Sequence, residues 1–248
     1  MKYFVVSDVH SYYTYLMEAL NNKGFEVDNP AHKLIVCGDL FDRGDETVKV
    51  FEFVKSLHEQ GRLIYVKGNH EILLKKCVKE IRAGRLPGYH HFSNGTIKTI
   101  CQFCGQNEWI VYDPSWSDKI CEVMQPVLDF IDANCVNYYE TENHVFVHGW
   151  VPPFSYLDDF RDADDSEWEE AMWLNGMNMW LSPACRVEGK TVICGHFNAS
   201  WGHANIHHTC DEWDEDAIFD PFVDDGIIAI DAATAYTGKV NCIVIENF

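Results

Sequence analysis

Along the first seventy residues, short apolar runs alternate with stretches whose apolar positions recur every three or four residues. Tyr3–Ser7, Leu34–Cys37 and Leu63–Val66 are too short for helices and read as strands covered on both faces. Between them, Tyr15, Leu16, Ala19 and Leu20 share one helical face, and Val48, Phe51, Val54 and Leu57 share another. This β-α-β-α-β order predicts a mostly parallel sheet with right-handed crossovers, whose ligands bind at the carboxyl ends of the strands. Residues 71 to 135 read as helices and loops, including a helix over 117–133. Four later runs, Val145–Val147, Thr191–Cys194, Ile227–Ile230 and Cys242–Ile245, make the second half strand-rich.

Composition narrows the class. At 248 residues and 47% hydrophobic, the chain can bury a large core, and it contains no linker, repeat or low-complexity segment. Its 19 basic and 39 acidic residues leave a formal charge of −20, which repels nucleic acid and anionic membranes. No apolar run approaches the roughly 18 residues of a membrane span, and the N-terminal run is too short for a signal peptide core. The ten cysteines include one CxxC, Cys101–Cys104, with no second pair to complete a zinc site. Free thiols in a reducing cytoplasm are therefore expected.

Chemistry gathers where the predicted strands end. The first ends in Asp8 and His10, which strand alternation puts on one face. The second ends in Gly38-Asp39, followed by Asp42-Arg43-Gly44, and the third in Gly68-Asn69-His70-Glu71. Three neighbouring strands each ending in oxygen or imidazole donors describe a metal site. A carboxylate such as Asp39 can bridge two cations about 3.5–4 Å apart.

This series resembles the calcineurin-like metallophosphoesterases, and its Asp-Arg-Gly and His-Glu endings resemble the phosphoprotein phosphatase branch with its small bacterial and phage Ser/Thr phosphatases. Val147-His148-Gly149, Cys194-Gly195-His196 and Ile228–Asp231 followed by Gly238–Glu246 extend the resemblance over nearly the whole chain; the last pair resembles that branch's final hairpin. The resemblance implies an α/β four-layer αββα sandwich of two mixed sheets flanked by helices, formed by residues 1–248 as a single domain. It implies Asp8 and His10 on the first metal, Asn69, His148 and His196 on the second, and Asp39 between them. The donor set contains no thiolate and suits two divalent ions such as Mn²⁺, Fe or Zn²⁺. The implied nucleophile is a metal-bridging hydroxide, with phosphate held on Arg43 and Asn69 and the leaving group protonated by His70, oriented by Asp42.

The chain also departs from the branch. Ser11 stands where glycine usually follows Asp-x-His, and Trp150 follows His148-Gly149, so an indole is expected to line the pocket. The segment Trp173-Leu174-Asn175 has Asn175 where a second phosphate-binding arginine is expected, leaving Arg161 or Arg186 as substitutes, or a single-arginine site. An inserted loop at 197–226 carries His203, His207 and His208, read as polar loop residues or as a third metal or substrate contact. Its Trp201, Trp213, Phe219 and Phe222 offer apolar walls, and its carboxylates disfavour polyanionic substrates. The expected activity is a phosphomonoesterase of the Ser/Thr protein phosphatase type acting on a phosphorylated protein or small phosphoester. The alternatives are a dinucleoside polyphosphate or nucleotide hydrolase on the same fold, and an inactive binding module.

Overall fold

The computed structural model describes residues 1–153 and 159–246. The opening strands are β1 (Lys2–Val6), β2 (His32–Cys37) and β3 (Leu63–Val66), joined through helices α1 (Tyr13–Asn22) and α2 (Thr47–Glu59). They pair in parallel, Val5 opposite Ile35 and Ile35 opposite Ile64, as their unbroken apolar runs predict. Helices α3 (Asn69–Arg82), α4 (Tyr89–Ser93), α5 (Thr96–Cys104) and α6 (Ser117–Asn134) follow. Two short strands, β4 (Cys135–Val136) and β5 (Tyr139–Glu140), precede β6 (His144–Phe146), α7 (Asp165–Ala171), α8 (Gly176–Trp180) and β7 (Thr191–Asn198). The chain closes with α9 (Ala199–Asn205), β8 (Phe222–Asp224), β9 (Ile227–Asp231), α10 (Thr234–Thr237) and β10 (Cys242–Ile245).

Among the described residues, ten strands form two sheets, ordered β10-β1-β2-β3-β4 and β5-β6-β7-β9-β8. Side-chain alternation explains their stacking. Val5, Ile35, Cys37 and Val66 of one sheet meet Phe146, Ile193 and Ile230 of the other in a buried layer. The opposite faces, through Phe4, Val6, Leu34 and Val36, pack under α1, α2, α3, α5 and α6. Val145, Val192, Cys194 and Ile227 do the same under α7, α8 and α9. This is the αββα sandwich with two mixed sheets.

Several expectations need correction. The final two runs are not a hairpin: β9 pairs with β7 in parallel, whereas β10 pairs antiparallel with β1 in the other sheet. An apolar run encodes burial on both faces but not which of two sheets receives it. The segment 197–226 is not one loop, because it opens with the end of β7 and α9 and closes with β8. Trp150 is buried in the second sheet's outer core, where its Nε1 donates to the Cys185 carbonyl at 3.0 Å, so its indole serves packing. Phe222 and Trp201 belong to the same core. No helix among the described residues is long and apolar enough to cross a membrane.

The inter-sheet layer is thin, so each large member matters. Phe146→Ala should destabilise the fold by about 3–5 kcal/mol, seen as a lower urea midpoint with an unchanged m-value. A shift of under about 1 kcal/mol would mean that the layer repacks freely.

Candidate active site

The carboxyl ends of β1, β2, β3, β7 and β9 deliver Asp8, His10, Asp39, Asn69, His70, His196 and Asp231 to a single cavity of about 250 Å³, and His148, after β6, lies against Asp39. Asp39, two residues past the end of β2, lines the cavity and is 2% exposed. Its Oδ1 approaches His148 Nε2 at 3.3 Å, while its Oδ2 faces His10 Nε2 at 3.7 Å and His70 Nε2 at 3.8 Å. Thus the two carboxylate oxygens address different imidazoles. Donor atoms gather into two triplets sharing Asp39: His10, Asp39 and His70 on one side, and Asp39, His148 and His196 on the other. Asn69 joins the second side, its Oδ1 lying 2.8 Å from His148 Nε2. Asp8 lines the same cavity, and its Oδ2 accepts from the His196 backbone N–H at 3.0 Å.

Two imidazoles are oriented as metal ligands are. His10 Nδ1 donates to the Phe41 carbonyl and His148 Nδ1 to the Cys37 carbonyl, each at 2.9 Å. That fixes the tautomer and leaves Nε2 turned inward. The backbone is forced into unusual conformations to do this. Among the described residues, Asp8, His10, Ser11, Asp39, Asp42, Arg43 and His196 are seven of nine non-glycine residues with positive φ. Each such conformation costs on the order of 1–3 kcal/mol and persists only where its surroundings enforce it.

The charge balance fits cations. Burial and the neighbouring Asp39 push the Asp8 carboxyl up to about 6, although His148 opposes them. Burial alone would raise Asp39, but His148, His70 and His10 overcome it and hold that carboxyl well below its usual range. The same carboxylates outweigh the burial of His148 and lift it to about 10. Burial and the charge on His148 then drive His196 down to about 3. The carboxylates thus demand positive charge among them, which a proton on His148 or divalent cations can supply. Oxygen and imidazole donors without thiolates suit borderline divalent ions.

His70 faces Asp39 through Nε2 and Asp42 through its other ring nitrogen. His70 Nδ1 donates to Asp42 Oδ2 at 2.7 Å. Burial lowers the imidazole pKa, and the carboxylates of Asp39 and Asp42 more than reverse this, leaving it raised. Asp42 in turn accepts from the hydroxyls of Thr96 at 2.9 Å and Thr99 at 2.8 Å, both in α5 and fully buried. Gly95 lets α5 approach, since a Cβ there would lie 2.3 Å from the Arg43 nitrogen. Arg43 is exposed and lines the cavity.

Other supports had a weaker signal in the sequence. The buried Glu71 carboxylate accepts from the backbone N–H groups of Asp39, Leu40 and Gly68 at 3.1, 3.0 and 2.7 Å. Tyr65 donates its hydroxyl to the same group at 2.7 Å. Glu71 therefore ties the end of β2 to the end of β3, a role legible only once the two strands are known to be adjacent. Asp231, at the end of β9, also lines the cavity, and burial together with Asp8 lifts its carboxyl well above the usual range.

Neither substitute arginine reaches the cavity. Arg161 is engaged by Glu140 and Asp159, and Arg186 stacks on Trp180 with its guanidinium carbon 4.4 Å from the ring centroid. Asn175 caps α8 instead, accepting from the Asn178 N–H at 3.1 Å. Of the inserted aromatics only Trp213 lines the cavity, with Phe219 packed behind it. His207 pairs with Asp224 at 3.0 Å, while His203 and His208 bond to backbone carbonyls. None of the three joins a group able to hold a third metal among the described residues.

The Thr96–Thr99 pair generates a prediction. Thr99→Val removes a bond to Asp42 Oδ1 and the acceptor for the Asp42 N–H at 2.9 Å. Loss of such an outer partner should lower kcat about tenfold without altering metal content, and less for substrates with acidic leaving groups. Steady-state kinetics beside metal analysis checks this; an unchanged kcat would show that the His70–Asp42 pair needs no support from α5.

The chain is similar to several known proteins. Bis(5'-nucleosyl)-tetraphosphatase (asymmetrical) of Bacillus velezensis is 38% identical over 76 residues, 28% of this chain and 30% of that protein. The symmetrical enzyme of Proteus mirabilis is 35% identical over 74 residues, 30% of this chain and 26% of that protein. The aligned part spans less than a third of these curated relatives. Among solved structures, a candidate diadenosine tetraphosphatase superposes over 98% of this chain and 89% of its own, with a TM-score of 0.53 at 16% identity. A Saccharomyces cerevisiae serine/threonine phosphatase superposes over 79% of this chain and 61% of its own, with a TM-score of 0.51 at 16% identity. At such identities the likeness concerns the fold alone. Residues 1–229 match the family model for calcineurin-like phosphoesterases, and the chain accordingly belongs to that family of metal-dependent phosphoester hydrolases.

Proposed function

We propose that the chain hydrolyses dinucleoside polyphosphates or related nucleotides. One observation favours this over the phosphoprotein reading: the exposed rings of Trp213 and Tyr236 line the same cavity as Arg43 and the histidine and carboxylate cluster. The names of the curated relatives point the same way.

In this reading Asp8 and His10 hold one divalent cation and Asn69, His148 and His196 the other, with Asp39 shared. Bound there, the two cations supply an activated water and neutralise phosphoryl charge. The chain's own groups do the rest. Arg43 presents a planar fork to phosphoryl oxygens. His70 carries a proton on a raised pKa and delivers it to the departing oxygen, while Asp42 keeps the ring oriented. The acidic residues between Cys210 and Asp225 weaken the approach of a polyanion, but exposed charges are worth about 1 kcal/mol or less each. A single arginine with two cations outweighs them locally.

The test is a substrate panel on metal-stripped protein reconstituted with Mn²⁺, Fe²⁺ or Zn²⁺ singly. With at least one metal, kcat/KM for diadenosine tetraphosphate should exceed that for a phosphoserine peptide by about tenfold or more, a difference of about 1.4 kcal/mol in transition-state binding. A preference for the peptide would restore the protein phosphatase reading. No metal-dependent turnover of either substrate, nor of para-nitrophenyl phosphate, would make the fold a binding module.

A further inference from the structure

One wall of the cavity has no part in phosphoryl chemistry. Trp213 and Tyr236 are 50% and 64% exposed, yet both face the space that holds Arg43 and Asp39. Their rings meet edge to face, with centroids 5.6 Å apart at 87°. Phe219 packs against both, at 5.9 Å from Trp213 and 5.8 Å from Tyr236. The Tyr236 hydroxyl donates to the Trp213 carbonyl at 3.3 Å, and Asn241 Nδ2 donates to the Phe219 carbonyl at 2.7 Å. Trp213 comes from the irregular stretch between α9 and β8, and Tyr236 from α10. Two segments distant in sequence therefore build one braced cluster whose outer ring faces stay wet.

We infer that Trp213 and Tyr236 form a stacking platform for the nucleobase of a nucleotide whose phosphate lies at Arg43. The inference rests on the nucleotide reading above and names the part of the substrate that selects it. Large exposed ring faces are unfavourable in water, and a flat heteroaromatic base can stack on one of these rings and meet the other edge to face without a fixed hydrogen-bond pattern. The flanking charges suit a base as well. Asp211, Glu212, Asp214, Glu215 and Asp216 surround Trp213 in sequence and would repel any further anionic group there. A base is neutral at neutral pH, and an amino-bearing base offers N–H donors to such acceptor-only side chains. The phosphates would lie toward Arg43 and the metal ligands, away from the acidic rim. A peptide bearing phosphoserine presents no comparable flat face.

The experiment compares binding, so that turnover does not enter. Non-hydrolysable phosphonate analogues of adenosine 5'-monophosphate and ribose 5-phosphate differ only by the base. Calorimetry on the metal-loaded full chain should find the adenosine analogue bound about tenfold or more tightly, the usual worth of one stacked base. Trp213→Ser and, independently, Tyr236→Ser should each shrink that advantage, and Trp213→Phe should keep most of it. Both residues are exposed, and circular dichroism confirms that each variant is folded. Equal binding of the two analogues by the unaltered chain, or an advantage surviving both serine variants, overturns the platform. So does a phosphonate phosphoserine peptide that binds more tightly than the adenosine analogue and loses affinity in Trp213→Ser. If the base advantage is present but diadenosine tetraphosphate is not hydrolysed, the platform stands and the substrate reading falls. If hydrolysis is present without the advantage, the reverse holds.

Discussion

Asp39 is a carboxylate almost wholly removed from water, held between imidazoles that address its two oxygens separately. Burying such a charge is expensive unless positive charge is brought to it. Everything around the site follows from meeting that demand. His148 and His196 face one side and His10 and His70 the other, while Asp8 adds a second buried carboxylate whose pKa burial and the neighbouring Asp39 raise. A single neutralising proton serves this arrangement poorly, since it drives His196 down as it settles on His148. Divalent cations held by these residues would meet the same demand without that conflict.

The fold makes the arrangement possible by placing several strand ends at one edge. No single strand carries the site; adjacent parallel strands and their partners in the second sheet each contribute one or two side chains. The cost appears in the backbone, where positive φ recurs at Asp8, His10, Asp39, Asp42, Arg43 and His196. Those conformations are enforced by contacts that allow no substitute. Gly68 is one, since a Cβ there would lie 2.2 Å from Asp39 Oδ1. Glu71, bonded to three backbone N–H groups, holds the two loops in register.

Much of this was readable in advance because it is local. The runs around Val5, Ile35 and Val66 are apolar on both faces, so their parallel pairing followed from pattern alone. Asp8, Asp39 and Asn69 follow those runs directly, so their convergence followed from topology. What was unreadable depends on long-range packing. Trp150 is as compatible with a pocket as with a core until the segment after β6 is placed. Arg161 and Arg186 looked available because their partners, Glu140 and Trp180, lie outside any motif. Thr96 and Thr99 carry no signal beyond ordinary helix positions, yet they hold Asp42 from 54 and 57 residues away. Tyr236, the third residue of a four-residue helix, becomes notable only when Trp213 arrives beside it.

The central claim is that one buried carboxylate unites two cation sites. Metal analysis of Asp39→Asn by inductively coupled plasma mass spectrometry tests it most directly, because the amide keeps the shape and removes the charge. The account predicts two ions per chain in the unaltered protein and one or fewer in the variant, with circular dichroism unchanged. Two tightly held ions in Asp39→Asn would contradict it, and the two imidazole groups would then have to bind metal independently of each other.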